Sequence, residues 1–340
     1  MATRKREVMR TVYRHGKPPY VPWSFAFTRE AQDKLCRHFG PDTDLAARLD
    51  NHYVGFGGSK PYFEALPNDC FRDPYGVVWD RSVDKDIGVV RGQVLPEPDL
   101  GLLRLPPPDD PRFIPADPVE TVRNLPDGLR IYSISFSLYE RAWALRGLDA
   151  FLEDLAAEPE FAVDLMNAIA DHNIARIRLV ADLDFDAVYF GDDWGDQRGV
   201  QMGPARWREM IKPILKRMYD AAHAAGKFVT IHSCGKVDEL FDDLVEIGVD
   251  CFNPFQPEVM DVEDLMKRYR GRLAFFGGLS TQKTLPYGSV EDVRRQTRRL
   301  LELGREGDYI FSPAHSVEGD VPLENMLAFI EIVRETGFWE

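Results

Sequence analysis

The chain has 340 residues, 44% apolar and 29% charged, and its 42 lysines and arginines face 56 aspartates and glutamates for a net charge of −14. A chain of this length buries roughly three quarters of its extended surface, which excludes disorder and a collagen-like fold, while so acidic a surface repels the phosphates of nucleic acid. No apolar run approaches the roughly 18 residues of a membrane span, and segment 1–16 lacks a signal peptide's apolar core, so neither membrane insertion nor export is expected. Four scattered cysteines, Cys36, Cys70, Cys234 and Cys251, provide no disulfide framework and point to a reducing, cytoplasmic setting.

In chain order, residues 21–25 and 52–54 read as early strands. Segment 60–118 then gathers Pro96, Pro98, Pro106, Pro107, Pro108, Pro111, Pro115 and Pro118 around short β-like runs at 75–79 and 88–90. Proline at that density breaks helices and central strands, so an elaborated excursion carrying a hairpin is expected. From 129 onward the pattern becomes regular. Strands are predicted at 129–136, 187–190, 228–231, 250–252, 273–276 and 309–311, and helices at 148–158, 159–181, 204–225, 236–247, 262–269, 290–304 and 322–336. Short buried strands, each followed by a helix, indicate βαβ units and a parallel sheet. Counting the two early strands, about eight repeats are available, which predicts a single (β/α)8 barrel domain over 1–340, with 60–118 as an insertion. A doubly wound sheet that bound a dinucleotide would carry a glycine fingerprint at its first turn, and Gly55-Phe56-Gly57-Gly58 has the wrong spacing.

Active sites of parallel barrels collect just past the C-terminal strand ends. Those positions hold Asp192, Asp193, Trp194, Asp196 and Arg198 after the strand at 187–190, and His232-Ser233-Cys234 after 228–231. They continue with Asn253 and Gln256 after 250–252, and His315 after 309–311. His232 and Cys234 are two residues apart at a strand end, so they point to the same side and both reach one Zn2+, with His315 supplying a third ligand; the alternative is a packed Cys234 and a substrate-bonding His232. Asp192 is expected to work inside the pocket in acid–base or substrate-orienting chemistry and Asp193 to serve structure or to support the site residues from outside them, because successive residues at a strand end face opposite ways. Asp196 is expected to cap its loop, and Glu140-Arg141 to form a salt-bridged pair at the rim. Cys251 lies in an apolar run and is expected to be buried. Trp23 and Trp194, with Asn253 and Gln256, are candidates to line a substrate pocket.

The segments Ile231-His232-Ser233-Cys234-Gly235-Lys236, Asp250-Cys251-Phe252-Asn253-Pro254-Phe255-Gln256, Phe276-Gly277-Gly278-Leu279-Ser280 and Ser312-Pro313-Ala314-His315-Ser316 resemble the uroporphyrinogen decarboxylase superfamily. More narrowly they resemble its methyltransferase-like branch, that of the methylcobamide:coenzyme M methyltransferases and corrinoid-dependent O-demethylases. The resemblance implies a (β/α)8 barrel, and a zinc ion held by the His-x-Cys pair, His232 and Cys234, plus a ligand from the last strand loop. In the coenzyme M enzymes that last ligand is a cysteine, and here the position is His315, which still completes a three-ligand set with an open fourth position. True decarboxylases carry an arginine-rich N-terminal signature that segment 23–27 lacks.

The resulting expectation is a zinc-dependent methyltransferase acting with a cobamide on a partner corrinoid protein and with a small methylated substrate or acceptor. Two alternatives are a cofactor-free decarboxylase or lyase using His232, Asp192 and His315 as acid–base groups, and a non-catalytic barrel that binds a ligand or a corrinoid protein. The insertion, with Phe63, Phe71, Tyr75 and Trp79, is expected to cover the barrel mouth or to form a docking surface, because so long a segment would be mobile unless its aromatics were buried.

Overall fold

The computed structural model describes residues 4–57, 64–83, 85 and 87–336; Gly58 and Phe63 lie outside the described residues. Eleven strands occur among them: β1 (Tyr53–Phe56), β2 (Glu64–Leu66), β3 (Cys70–Arg72), β4 (Val78–Asp80), β5 (Val89–Arg91), β6 (Leu129–Ile134), β7 (Ala187–Gly191), β8 (Phe228–His232), β9 (Cys251–Phe255), β10 (Ala274–Leu279) and β11 (Tyr309–Pro313). The chain, expected as one domain over 1–340, divides into two compact units interleaved in sequence: 1–54, 126–130 and 250–340 in the first, 55–125 and 131–249 in the second. Strands alternate with helices in each, an α/β fold.

In the first unit β9, β10 and β11 pair in parallel in that order. The helix Val262–Arg268 follows β9, Val290–Gly304 follows β10 and Leu323–Thr336 follows β11. The helix after β10 starts on a reciprocal cap, in which the Ser289 side chain accepts from the Asp292 N–H and the Asp292 carboxylate accepts from the Ser289 N–H. The strand expected at 21–25 is not a regular ladder. Pro22 has no N–H to donate, and the segment instead makes isolated parallel bridges, Trp23 with Phe311 and Phe27 with Val317. The Phe311 N–H donates to the Pro22 carbonyl at 2.8 Å and the Ser24 N–H to the Phe311 carbonyl at 3.2 Å. On its other side, His52 N–H donates to the Trp23 carbonyl at 3.0 Å and Leu129 N–H to the His52 carbonyl at 2.7 Å. Phe25 lies edge-on to Phe311 and Phe329, and this aromatic layer holds the segment against the last strand and its helix.

In the second unit β6, β7 and β8 are likewise parallel. β6 stops at Ile134, two residues short of expectation, because Phe136 takes a left-handed conformation (φ 50°) that turns the chain. The expected helix 204–225 contains a wide turn at Trp207–Ile211, just ahead of Pro213, whose missing N–H and ring disturb the regular hydrogen-bond ladder. The insertion builds more than a hairpin. Strands β2, β3, β4 and β5 form a four-stranded antiparallel sheet. Tyr75, Trp79 and Phe113 are buried, as its aromatic content required. Asp73, at the turn between β3 and β4, accepts from the N–H groups of Tyr75 and Val77, from Trp79 Nε1 and, at 2.5 Å, from Arg141 Nη1. The proline-rich stretch is held by its backbone: the Leu95 N–H donates to the Leu145 carbonyl, and the carbonyls of Pro96 and Pro106 accept from Arg146 Nη1 and His172 Nε2, each at 2.9 Å. Among the described residues no helix is long and apolar enough to cross a membrane.

Candidate metal centre

The register of β7 and β8 sets Gly191 opposite His232, so the residues that follow leave the sheet side by side. The Asp192 N–H donates to the His232 carbonyl at 2.9 Å, the Trp194 N–H to Ser233 Oγ at 3.0 Å and the Cys234 N–H to Asp193 Oδ1 at 2.8 Å. Gly235 takes φ +90°, and a Cβ there would collide with the backbone of Gly195 and Asp196, so only glycine lets the two loops pack this closely. The outcome is a fixed pair: His232 Nε2 lies 3.4 Å from Cys234 Sγ, and Asp193 Oδ1 stands 3.8 Å from the same imidazole nitrogen.

The surroundings are negative. Burial pushes the Cys234 thiol upward, and Asp193 and Glu140 push it further. Burial, followed by Asp193 and Asp192, lifts Glu140 well above the usual carboxylate range. Asp192 rises to about 6 through burial, opposed by the donors it accepts from. Among the described residues, no lysine or arginine makes an ion pair with any of these three carboxylates. A soft sulfur and an imidazole nitrogen beside uncompensated carboxylates form a donor set matched to a borderline cation such as Zn2+.

In the first unit, His315 stands two residues beyond β11, between Ala314, whose N–H donates to the Leu279 carbonyl at 2.8 Å, and Val317, which is bridged to Phe27. Asn253 donates its side-chain amide to the Phe276 carbonyl at 2.9 Å, and Gln256 is 5% exposed. Glu258 had no role in the sequence reading; its Oε1 accepts from Ser280 Oγ at 2.5 Å, and Ser280 Oγ in turn accepts from the N–H groups of Lys283 and Thr284.

Three expectations are corrected. Asp192, assigned to the pocket, is fully enclosed: Oδ1 accepts from the N–H groups of Leu138 and Glu140, and Oδ2 from Trp194 Nε1 at 2.5 Å, so it caps the helix Tyr139–Arg146 and anchors a loop. Asp193, expected to serve structure or to support the site residues, holds the Cys234 backbone and lies 3.8 Å from His232 Nε2. Trp194 is 0% exposed against Trp207, and Trp23 is 1% exposed with its Nε1 donating to the Leu49 carbonyl, so both indoles are enclosed as packing residues. Glu140 and Arg141 do not pair, because adjacent helical residues point about 100° apart; Arg141 turns to Asp73 and Glu140 toward Asp192 and Asp193. Asp196 caps its loop as expected, accepting from the N–H groups of Arg198 and Gly199, and Cys251 is buried.

Comparison with known proteins places these observations in context. Over 177 residues the chain is 24% identical to the uroporphyrinogen decarboxylases of two strains of Thermus thermophilus, a match covering 51% of this chain and 48% of each relative. It thus spans about half the length of the curated relatives it matches. A solved methyltransferase from Methanosarcina mazei shares the fold with a TM-score of 0.71, at 17% identity over 98% of both chains. The profile of the family described as Uroporphyrinogen decarboxylase (URO-D) matches residues 113–336, well over half of the sequence, and the chain belongs to that family.

Proposed function

We propose that this protein is a zinc-dependent methyltransferase that exchanges a methyl group between a small methylated substrate or acceptor and a cobamide carried by a partner corrinoid protein. The observation that carries the reading is the His232–Cys234 pair, 3.4 Å apart at the end of β8 with Asp193 beside it. We further propose that the strands close as a (β/α)8 barrel, with the Trp23 segment as its first strand. Its parallel bridge to Phe311, and the backbone hydrogen bonds that run from Trp23 to His52 and from His52 to Leu129, support this.

His232 and Cys234 are the residues proposed to hold the zinc, with His315, the position of the family's last-loop ligand, proposed as the third. When bound, Zn2+ supplies Lewis-acid chemistry, lowering the pKa of a substrate thiol or polarising an ether oxygen. The chain's own groups do the rest. Asp193 fixes Cys234 by accepting its N–H, and its carboxylate, 3.8 Å from the His232 nitrogen that faces the sulfur, adds negative charge beside a cation held there. Glu140, whose carboxyl is raised by burial and then by Asp193 and Asp192, is the group to hold or pass a proton beside the sulfur.

The test is metal analysis of protein purified without a metal-binding tag, followed by methyl transfer with corrinoid protein before and after chelation. Near-stoichiometric zinc in the wild type, lost in Cys234→Ala with the fold retained, is the expected result. Full zinc occupancy in Cys234→Ala would overturn the ligand set. A second reading, a metal-free decarboxylase or lyase, draws on the raised Glu140 carboxyl near His232; activity unchanged by chelation would favour it.

A further inference from the structure

Away from the metal centre, the layer between the insertion and the helix Pro159–Val180 holds a charge that its neighbours do not balance. Arg176 is 2% exposed. Its Nε donates to Tyr132 Oη at 3.2 Å, and its Nη1 to Tyr75 Oη at 3.4 Å and Asn173 Oδ1 at 3.3 Å, all neutral acceptors at long range. Nη2 is buried with no partner, and the guanidinium lies over the Phe113 ring at 4.2 Å. The nearby buried carboxylate, Asp73, is already committed to Arg141 and to three N–H donors. Arg112 and Asp110 satisfy one another at 2.6 Å. His172, one turn before Arg176, donates Nε2–H to the Pro106 carbonyl, and burial together with Arg176 lowers its pKa to about 4, so it is neutral and offsets nothing. Two buried guanidiniums therefore share one buried carboxylate. The tyrosine oxygens that accept from Arg176 keep their own protons to donate, and Ser137 Oγ is buried without a partner. A guanidinium cannot shed its proton, and a buried charge needs a counter-charge.

We propose that Arg176 is the centre of a buried site for a compact monovalent anion of chloride size. One surplus positive charge calls for one negative charge. A halide accepts hydrogen bonds from several directions and donates none, which suits donors lacking acceptors. The bound anion would join the insertion, through Tyr75, to the helix that carries Arg176. This inference does not depend on the metal reading.

The test uses the intact wild-type chain. Its melting temperature is measured in sodium chloride, sodium bromide and sodium gluconate at equal ionic strength, and crystals grown in bromide are examined for anomalous scattering. A ligand that binds only the folded state raises the melting temperature with its concentration, so both halides should stabilise by a few degrees over gluconate. Bromide should scatter next to Arg176 Nη2. Arg176→Met, which removes the charge at similar volume, should abolish the shift and the peak together. If that variant does not fold, Tyr75→Phe, lacking one donor, should weaken the halide response, and the wild-type bromide map decides by itself. Equal melting temperatures in chloride and gluconate, with water at Nη2, overturn the proposal, as does bromide found at the surface alone as an adventitious ion only.

Discussion

Two places in the second unit take charge out of water and handle it in opposite ways. At the turn of the insertion, Asp73 and Arg141 are each 2% exposed and form a closed arrangement in which both carboxylate oxygens are used and the guanidinium lies over Tyr75 at 4.0 Å. At the ends of β7 and β8, Asp192, Asp193 and Glu140 gather, among the described residues, without a lysine or arginine ion pair, around a histidine and a cysteine. The first arrangement pairs its opposite charges within the protein and fastens one segment to another. The second is incomplete in charge, the condition under which a cation from solution becomes part of the fold. Burial of polar groups is common to both, so burial alone does not mark a functional site; the missing counter-charge does.

The largest effect that separates the two places is expected from Asp73→Ala. It strands Arg141 without a counter-ion, and breaking a buried pair from one side costs about 3–5 kcal/mol. Denaturant unfolding should show that loss whether or not zinc is present; a loss under about 1 kcal/mol would remove the contrast. Next comes Asp192→Asn. Its amide cannot accept from both the helix N-terminus and the Trp194 indole, so about 1–3 kcal/mol of stability should go, with zinc content kept. Zinc loss at full stability would return Asp192 to the pocket.

Asp193→Asn should do the reverse. Removing the carboxylate that holds the backbone of the proposed ligand Cys234 should weaken metal binding about 10- to 100-fold, to be read by competition with a chelating dye, while the melting temperature of the metal-free protein stays within a few degrees. Unchanged affinity would mean that Asp193 merely holds the Cys234 backbone. The smallest effect concerns His15, whose Nδ1 lies 2.6 Å from Asp308 Oδ1 in the first unit and whose pKa is raised by that hydrogen bond. A raised histidine pKa contributes stability that is complete below the unfolded value near 6.5 and is lost as pH climbs through the higher folded value. His15→Gln should flatten the melting-temperature profile between about pH 6 and 8 by a few degrees at most. An unaltered slope would assign that pH dependence to another group.

Much of this was legible in the sequence. The alternation of apolar runs with helical periods located β6 to β11 and most helices within a few residues, because those segments are regular and buried on one side. The His232–Cys234 pair followed from a period of two, which holds wherever a strand ends cleanly. Asp192 was misplaced for the same reason: β7 runs to Gly191, one residue beyond the expected end, and a slip of one residue swaps the faces. Trp23 and Trp194 were misread because an indole fits a core as readily as a pocket, and composition does not distinguish them. The partnership of Arg141 with Asp73 joins positions 68 residues apart in the chain, beyond the reach of any local pattern.

The bridge between Trp23 and Phe311 spans nearly the whole chain. On a ribosome that emits about 5–20 residues per second, the Trp23 segment waits on the order of tens of seconds for the strand it pairs with. Residues 55–125 and 131–249 have all emerged by then, so the second unit can form first while Trp23 and Phe25 remain exposed as apolar surface. Contacts of such long range also slow folding. The newborn chain thus passes through a stage with one unit built and a sticky leading edge, which is where a chaperone would be needed and where a truncated transcript would aggregate.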